Sequence, residues 1–191
     1  MITQSVSSIT LIRHGPPTVS LRTCIRGSEF RHFVERYEAA KINRHAAPPQ
    51  SVKQVMQHAQ LVFASHRPRA LHTAELLEAP LTPIVDPRFR EIEFPVDFPG
   101  HVRLSAMIWT ALAVILWRLG YSPNCEPLGL ARQRARTMAE LLISKAENTG
   151  PVVLVAHGGI NRLIAKELRQ RGWQGPRMPR SRHWGCTTYQ A

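Results

Sequence analysis

The stretch Ile9-Thr10-Leu11-Ile12-Arg13-His14-Gly15 decides the fold of this chain. Four aliphatic or β-branched residues run directly into two basic residues and a glycine, and Pro16-Pro17 follows. A short apolar run that ends in glycine and proline is typical of a buried strand. Because open α/β sheets bind their ligands at the carboxyl ends of the strands, we expect Arg13 and His14 to face a ligand.

A second stretch repeats this pattern far downstream. Residues 151–156 read Pro-Val-Val-Leu-Val-Ala, and His157-Gly158-Gly159 ends the run before a helical segment. Two strands would thus each deliver a histidine to their carboxyl ends. Strands that alternate with helices predict a mostly parallel central sheet, right-handed crossovers and helices on both faces. The sequence therefore predicts an α/β three-layer sandwich, formed as a single domain over residues 1–191.

Hydrophobic periodicity predicts the remaining elements. Further strands are expected over residues 60–64, 84–85 and 186–189, and helices over residues 29–44, 52–58, 70–77, 130–147 and 161–171. Residues 16–27 are expected to form a loop. The most apolar segment, residues 104–119, is too short and too often interrupted to cross a bilayer, so a buried or interface helix is predicted there.

Composition narrows the classes of protein. The apolar share of 43% and the charged share of 20% are ordinary for a globular protein. Residues 1–8 lack the basic start and apolar middle of a signal peptide, so we expect a cytoplasmic location. Three widely spaced cysteines, Cys24, Cys125 and Cys186, favour reduced thiols over a disulfide framework or a cysteine-built zinc site.

The net charge of +12 is compatible with nucleic acid, acidic lipid or a phosphorylated substrate as a partner. The arginines are spread along the chain apart from one cluster, Arg177, Arg180 and Arg182, and no aromatic residues interleave with them as in single-strand readers. We therefore expect weak, salt-sensitive attraction of polyanions, without specific nucleic-acid binding or membrane binding.

Four blocks of sequence carry a resemblance to a known family. Leu11-Ile12-Arg13-His14-Gly15 resembles the Arg-His-Gly signature of the histidine phosphatase superfamily, also called phosphoglycerate mutase-like. Residues 64–74, Ala-Ser-His-Arg-Pro-Arg-Ala-Leu-His-Thr-Ala, resemble its second block. Phe89-Arg90-Glu91-Ile92 resembles the block that carries the family's acid, and residues 153–159 resemble the closing His-Gly-Gly block. The blocks follow one another in the family's order.

The resemblance implies that His14 attacks the phosphorus of a monoester and becomes a phosphohistidine. It implies that Arg13, Arg69 and His157 hold the phosphoryl oxygens and that Glu91 donates and then accepts a proton, with Glu93 as the other candidate acid. Ser20 stands near the place of a family asparagine and is the candidate for that residue's phosphate contact. No metal and no cofactor are expected.

Elementary chemistry agrees with these roles. A neutral imidazole is nucleophilic near neutral pH, and covalent catalysis divides one hard displacement into two easier ones. Arginine forks match the oxygens of a phosphoryl group better than lysine does. Two histidines and a glutamate could also ligate zinc, but Arg13 and Arg69 would repel a cation from the same pocket. Gly15, Gly158 and Gly159 would let phosphoryl oxygens approach the backbone closely.

The sequence thus predicts a phosphoric monoester hydrolase. Its partner would be a small phosphorylated substrate, with inorganic phosphate or sulfate as a ligand of the pocket. A phosphoglycerate mutase-type phosphotransferase and a catalytically weak, basic polyanion-binding protein stay open as alternatives. For residues 95–121, with Met107, Trp109 and Trp117, two interpretations stay open: a wall of the substrate pocket, or core and homodimer face.

Overall fold

The computed structural model describes residues 7–191, and strands and helices alternate along them. The strands are β1 (Ser8–Arg13), β2 (Cys24–Arg26), β3 (Leu61–Ala64), β4 (Ile84–Val85), β5 (Arg103–Ser105), β6 (Val152–Ala156) and β7 (Cys186–Gln190). The helices are α1 (Phe30–Ala39), α2 (Gln50–Gln57), α3 (Pro68–Leu76), α4 (Ala106–Arg118), α5 (Leu128–Thr149) and α6 (Gly158–Gln170). Residues 1–6, on which the expected cytoplasmic location partly rests, lie outside the described residues.

The central sheet has the strand order β4-β3-β6-β1-β7. β1 pairs in parallel with β6, β6 with β3, and β3 with β4, while β7 runs antiparallel to β1 at one edge. This confirms the predicted α/β fold with a mostly parallel sheet. The register places Arg13 opposite Ala156, so the next residues, His14 and His157, leave neighbouring strands at the same edge.

Helices cover both faces of the sheet. Side chains alternate between the faces along each strand, so each face carries apolar side chains that pack against a helix layer. Ile9 and Leu11 of β1 join Leu154 in one apolar cluster, which contains the buried sides of α5 and α6. Ile12 and Val153 point to the other face, where they join the buried residues of α2 and α3. Continuous burial along β6 follows from its central place.

A third apolar cluster contains residues from α1, α4 and a two-stranded ribbon. The ribbon corrects the prediction of a loop over residues 16–27, because β2 pairs antiparallel with β5 and Ile25 lies opposite Leu104. Ile25 is the one buried residue of β2, which is flanked by exposed Cys24 and Arg26. Three residues with one apolar member carry no periodic signal, so the sequence did not indicate this strand.

Two helices differ from their predicted ranges by more than two residues at one end. α1 ends at Ala39 rather than continuing to residue 44, because Ala40 has an extended backbone and Ile42 forms a bridge with Pro17. α6 begins at Gly158 rather than at residue 161, with His157 as the residue that precedes its first turn. The two glycines that were expected to separate strand from helix therefore form the first turn of the helix.

The apolar segment predicted as a helix forms α4 and has two different sides. Trp109 and Trp117 are buried, and their indole N–H groups donate to the carbonyl oxygens of Ile25 at 3.1 Å and Glu126 at 2.7 Å. Met107 and Ile115 on the other side are exposed. None of the helices within residues 7–191 is long and apolar enough to span a bilayer.

Replacing Leu154 by alanine tests the packing of the central strand. Its side chain is 0% exposed between the sheet and the α5–α6 layer, so Leu154→Ala should lower the free energy of unfolding by about 2–5 kcal/mol. Urea denaturation of the two proteins measures this difference. Leu119→Ala is the matched control, because Leu119 is 79% exposed and its loss should change stability by less than about 0.5 kcal/mol. Equal effects of the two substitutions would contradict this packing.

Candidate active site

The candidate site lies where β1 and β6 end side by side. His14 and His157 follow these strands, both side chains are buried, and their ring centroids are 5.2 Å apart in an edge arrangement. The backbone N–H of His14 donates to the carbonyl of Ala156 at 3.0 Å, which continues the sheet pairing past the end of β1. Sheet register therefore brings together two histidines that are 143 positions apart in the sequence.

His14 is held as a neutral imidazole. Its Nδ1 lies 2.7 Å from the carbonyl oxygen of Gly15, and since a carbonyl only accepts, Nδ1 carries the proton and Nε2 keeps its lone pair. Burial lowers the pKa of His14 well below 6.5, and the Arg69 and Arg13 charges lower it further against the opposing effect of the Gly15 carbonyl. An uncharged ring with a free Nε2 is what a nucleophile requires.

His157 is placed by a serine. Its Nε2 lies 2.9 Å from Ser65 Oγ, while its buried Nδ1 has no hydrogen-bond partner among residues 7–191. Burial, followed by the Arg69 charge, lowers the pKa of His157 well below 6.5. Sequence reasoning missed this contact of Ser65, although its place directly after the predicted strand over residues 60–64 indicated the same edge of the sheet.

Arg69 projects from the first turn of α3 and is 2% exposed. Its Nη1 donates to the carbonyl oxygens of Tyr37 at 3.2 Å and Glu38 at 3.1 Å, near the end of α1, and its Cζ lies 5.2 Å from the centroid of the Tyr37 ring. These contacts orient the guanidinium group without a carboxylate to neutralise it. Sequence reasoning did not identify Tyr37 as a contact of Arg69.

Arg13 is held in a similar way from the other side. Its Nη1 donates to the carbonyl oxygen of Ser181. The Nε atoms of Arg13 and Arg69 are both buried and have no hydrogen-bond partner within the described residues, and neither arginine forms an ion pair there. A buried and a partly buried guanidinium group, each with an N–H donor that has no partner among residues 7–191, lie next to a neutral imidazole and are suited to bind an anion.

Glu91 reaches the same place from the segment that follows β4. Its carboxylate accepts from the backbone N–H groups of Gly159 at 3.1 Å and Ile160 at 2.9 Å, in the first turn of α6. Glu93, the other candidate acid, is instead held by Arg90 at 3.1 Å and by the N–H of Glu126 at 3.1 Å. Both glutamates line the cavity at His14, but only Glu91 is anchored to the turn that follows His157.

Two glycines have roles other than the expected close approach of phosphoryl oxygens. A Cβ on Gly15 would lie 2.4 Å from Cζ2 of Trp184, so this glycine is required by the packing of the indole. A Cβ on Gly159 would lie 2.6 Å from Glu91 Oε1, so this glycine lets the carboxylate reach α6. A Cβ on Gly158 would lie 3.6 Å from Nε of Arg13, which is an ordinary van der Waals contact, so packing does not require glycine at this position.

Ser20 does not join the site in this structure. It is exposed, its Oγ accepts from the N–H of Arg22 at 3.2 Å, and it is absent from the residues that line the cavity at His14. His183 lies closer, with its ring centroid 5.5 Å from that of His14, and burial lowers its pKa to about 4. Sequence reasoning missed His183 because it follows an irregular segment rich in proline, glycine and arginine.

A cavity of about 300 Å³ opens at His14 and combines charged and apolar walls. Arg13, Arg69 and Glu91 line it, and its apolar lining includes Phe33, Val34, Phe94 and Val96. Within residues 7–191 no group of three or more His, Cys, Asp or Glu side chains is placed to hold a metal ion. The cavity thus brings a neutral imidazole together with two arginines that can hold an anion.

A family model covers nearly the whole chain. It is the model of the histidine phosphatase superfamily (branch 1), and it matches residues 9–189. The chain belongs to the histidine phosphatase superfamily. The resemblance seen in the four sequence blocks is thereby confirmed over nearly the whole chain.

Solved structures share the histidine phosphatase fold at low identity. The mycobacterial glucosyl-3-phosphoglycerate phosphatase complexed with VO3 has a TM-score of 0.61 and 20% identity, with 95% of this chain and 92% of that chain covered. The same enzyme with inorganic phosphate has a TM-score of 0.57 and 22% identity, covering 86% and 79%. The product of an open reading frame of Mycobacterium tuberculosis has a TM-score of 0.61 and 16% identity, covering 95% and 89%. The comparison with curated proteins gives no match.

The lowered histidine pKa values predict how stability depends on pH. His14, His157 and His183 all have folded-state pKa values below 6.5, so the unfolded chain binds more protons than the folded chain as the pH falls below 6.5. Stability should therefore fall from pH 7 to pH 5.5, approaching about 1.4 kcal/mol per pH unit for each such histidine well below pH 6.5. Urea midpoints at several pH values measure this slope.

His183→Gln is the variant that reports on one of these groups. It should reduce the slope of stability against pH, because His183 no longer has to remain neutral down to about pH 4. His58→Gln is the matched control, since His58 is exposed. Two outcomes would contradict the conclusion that these histidines stay neutral in the folded protein. One is a stability that does not change between pH 7 and pH 5.5. The other is the same slope of stability against pH in the unaltered protein, His183→Gln and His58→Gln.

Proposed function

We propose that the chain is a phosphoric monoester hydrolase that acts through a phosphohistidine intermediate on His14. The observation that carries this proposal is a pair of buried N–H groups, Nε of Arg13 and Nε of Arg69, which lie beside a neutral His14 and find no hydrogen-bond partner among residues 7–191. A phosphoryl group would accept from both arginines while its phosphorus faces Nε2 of the imidazole. Phosphoryl transfer depends mainly on such positioning and charge stabilisation.

The first step joins His14 to the phosphorus. Nε2 attacks, the bond between phosphorus and the ester oxygen breaks, and the departing oxygen takes a proton from the Glu91 carboxyl group to leave as an alcohol. Arg13, Arg69 and the Nδ1–H of His157 donate to the three remaining oxygens, with Nε2 of His157 accepting from the Ser65 hydroxyl. These contacts strengthen as negative charge spreads over the oxygens in the transition state.

The second step returns the enzyme to its starting state. Water attacks the phosphohistidine, Glu91 accepts one of its protons, and the bond between nitrogen and phosphorus breaks to release inorganic phosphate. Glu91 thus acts first as an acid and then as a base, which restores its proton. The anchoring of its carboxylate by Gly159 and Ile160 supports a fixed position in both steps.

The related structures support the class of ligand. A structural neighbour named as a glucosyl-3-phosphoglycerate phosphatase holds VO3 in one structure and inorganic phosphate in another. We extend this to a small phosphorylated substrate for the present chain, with phosphate or sulfate as a pocket ligand. The cytoplasmic location, the single domain over residues 1–191 and the role of Ser20 as a phosphate contact remain predictions.

Trapping the intermediate tests the nucleophile. With a ³²P-labelled monoester, rapid alkaline quenching should give protein-bound label that is stable to base and lost in acid, and peptide mapping should place it on His14. His14→Ala should abolish both the label and phosphate release. His101→Ala is the matched control, because His101 is exposed and lies outside the cavity. Label on another residue, or undiminished phosphate release by His14→Ala, would contradict the proposal.

Leaving-group dependence tests the acid. Glu91→Gln should slow release of phosphate from an alkyl phosphate by about 10²–10⁴-fold, and slow p-nitrophenyl phosphate far less, because that phenolate leaves with little protonation. Glu93→Gln should lack this selectivity, since its carboxylate is engaged by Arg90 and the backbone of Glu126. If the two variants exchange these behaviours, Glu93 is the acid.

Product analysis separates hydrolysis from transfer. A phosphoglycerate mutase-type enzyme returns the phosphoryl group to a second hydroxyl, so it would isomerise a phosphorylated hydroxy acid without net phosphate release. The proposed hydrolase releases inorganic phosphate in amounts equal to the alcohol produced. A basic polyanion-binding protein without activity would do neither.

A further inference from the structure

Tyr37 is a residue of the cavity at His14 to which the proposed chemistry gives no part. It lies in the last turn of α1 and lines the cavity together with Arg13, Arg69 and Glu91. Ser20, the hydroxyl residue that was expected to add a phosphate contact, lies at the surface instead. The contact expected from Ser20 is therefore open to another hydroxyl group.

Two hydroxyl groups line this cavity, those of Tyr37 and Thr110. The Thr110 hydroxyl donates to the carbonyl oxygen of Ala106 at 2.8 Å, inside its own helix, so its proton is engaged. Tyr37 carries its hydroxyl at the far end of a rigid ring, beyond the reach of its own helical turn. Of the two hydroxyl groups, that of Tyr37 is the one suited to donate to a ligand.

The ring of Tyr37 is held by two neighbours. Phe33, one turn earlier on α1, stacks with it at a distance of 6.2 Å between ring centroids. Cζ of Arg69 lies 5.2 Å from the Tyr37 centroid, and Nη1 of Arg69 donates to the Tyr37 carbonyl oxygen at 3.2 Å. Contacts to both the ring and the main chain fix the position of the hydroxyl before a ligand binds.

The charges of Arg13, Arg69 and Glu91 act on the Tyr37 hydroxyl. These residues are the two arginines suited to bind an anion and the candidate acid. Burial raises the pKa of Tyr37 above its ordinary value of 10, and the opposing effect of the two arginines does not reverse this. The phenol therefore stays protonated at neutral pH. Arginine carries only donors, so neither Arg13 nor Arg69 can accept the phenol proton.

We propose that Tyr37 is a further catalytic residue, whose hydroxyl donates a hydrogen bond to a phosphoryl oxygen of the bound substrate. The inference rests on the proposed function, because it assumes that the reacting phosphoryl group lies at His14. A neutral donor adds a contact to the anion without adding negative charge to the pocket. This contact strengthens as negative charge spreads over the phosphoryl oxygens, and the phenol keeps its proton throughout.

Tyr37→Phe tests the hydroxyl, because it keeps the ring beside Phe33 and Arg69. It should lower kcat/KM, measured by phosphate release, by about ten- to hundredfold, as expected for a hydrogen bond to a charged group. The loss should be equal for an alkyl phosphate and for p-nitrophenyl phosphate, since both present the same phosphoryl group. Tyr121→Phe is the matched control, because Tyr121 is exposed and lies outside the cavity.

Tyr37→Leu separates the role of the hydroxyl from that of the ring. It removes both, and with the ring it removes the contact to the Arg69 guanidinium group. We expect Tyr37→Phe to account for much of the loss of kcat/KM that Tyr37→Leu shows. If Tyr37→Phe keeps the full kcat/KM and only Tyr37→Leu loses activity, Tyr37 does no more than support Arg69, and the inference is overturned.

Ligand binding tests the contact without turnover. Calorimetric titration with inorganic phosphate and with vanadate should show about tenfold or weaker binding by Tyr37→Phe than by the unaltered protein. Equal affinities of the two proteins for both ligands would overturn the inference, even where the unaltered protein hydrolyses monoesters. Weaker binding by the variant supports the hydroxyl contact even where no monoester is hydrolysed, a result that would count against the hydrolase alone.

Discussion

The parallel pairing of β1 with β6 is the constraint on which the whole centre depends. Ile9 lies opposite Val152 and Arg13 opposite Ala156, so both strands end at the same level. A slip of one residue would turn every side chain of β1 to the opposite face. Burial of both faces therefore fixes the register. The N–H of His14 continues the pairing beyond the end of β1, and the side chain of Asn161 adds a bond by donating to the Ile12 carbonyl at 3.2 Å. The same hydrophobic packing that stabilises the sheet sets the distance between the two histidines.

Main-chain carbonyl oxygens hold the two charged arginines beside the neutral His14. Burying an arginine is costly unless its donors are satisfied, and a carboxylate partner would cancel the charge that an anion needs. Arg69 donates to the carbonyls of Tyr37 and Glu38, and Arg13 to that of Ser181. Carbonyl oxygens carry only partial charges, so both guanidinium groups keep their field. That field is one reason why the pKa values of His14 and His157 are lowered.

Patterns along the chain predicted the elements that meet at the site, but not the contacts that orient its residues. The apolar runs before Arg13 and His157 indicated strand ends, and parallel pairing brings such ends together. The Ser181 carbonyl that holds Arg13 is 168 residues away in the sequence, and the Glu38 carbonyl that holds Arg69 is 31 residues away. No local sequence pattern predicts such distant contacts. Ser20 was singled out by analogy of position alone, yet its turn with Arg22 and Thr23 keeps it at the surface. Gly15 and Gly159 were recognised as special residues, but the groups that crowd them, Trp184 and Glu91, are distant in sequence.

The α4 helix shows why the sequence of residues 95–121 was compatible with two interpretations, a pocket wall and a core or homodimer face. A helix that is apolar all round gives no preferred face from its sequence, so pocket wall and core remained equally compatible with residues 95–121. The structure divides these roles by side: Trp109 packs with Phe30 and Phe98, while Thr110 lines the cavity at His14. The two indole N–H bonds, to Ile25 and Glu126, tie α4 to the ribbon and to the segment before α5. Because these bonds are made by buried side chains, core packing holds the part of the cavity wall that α4 supplies through Thr110.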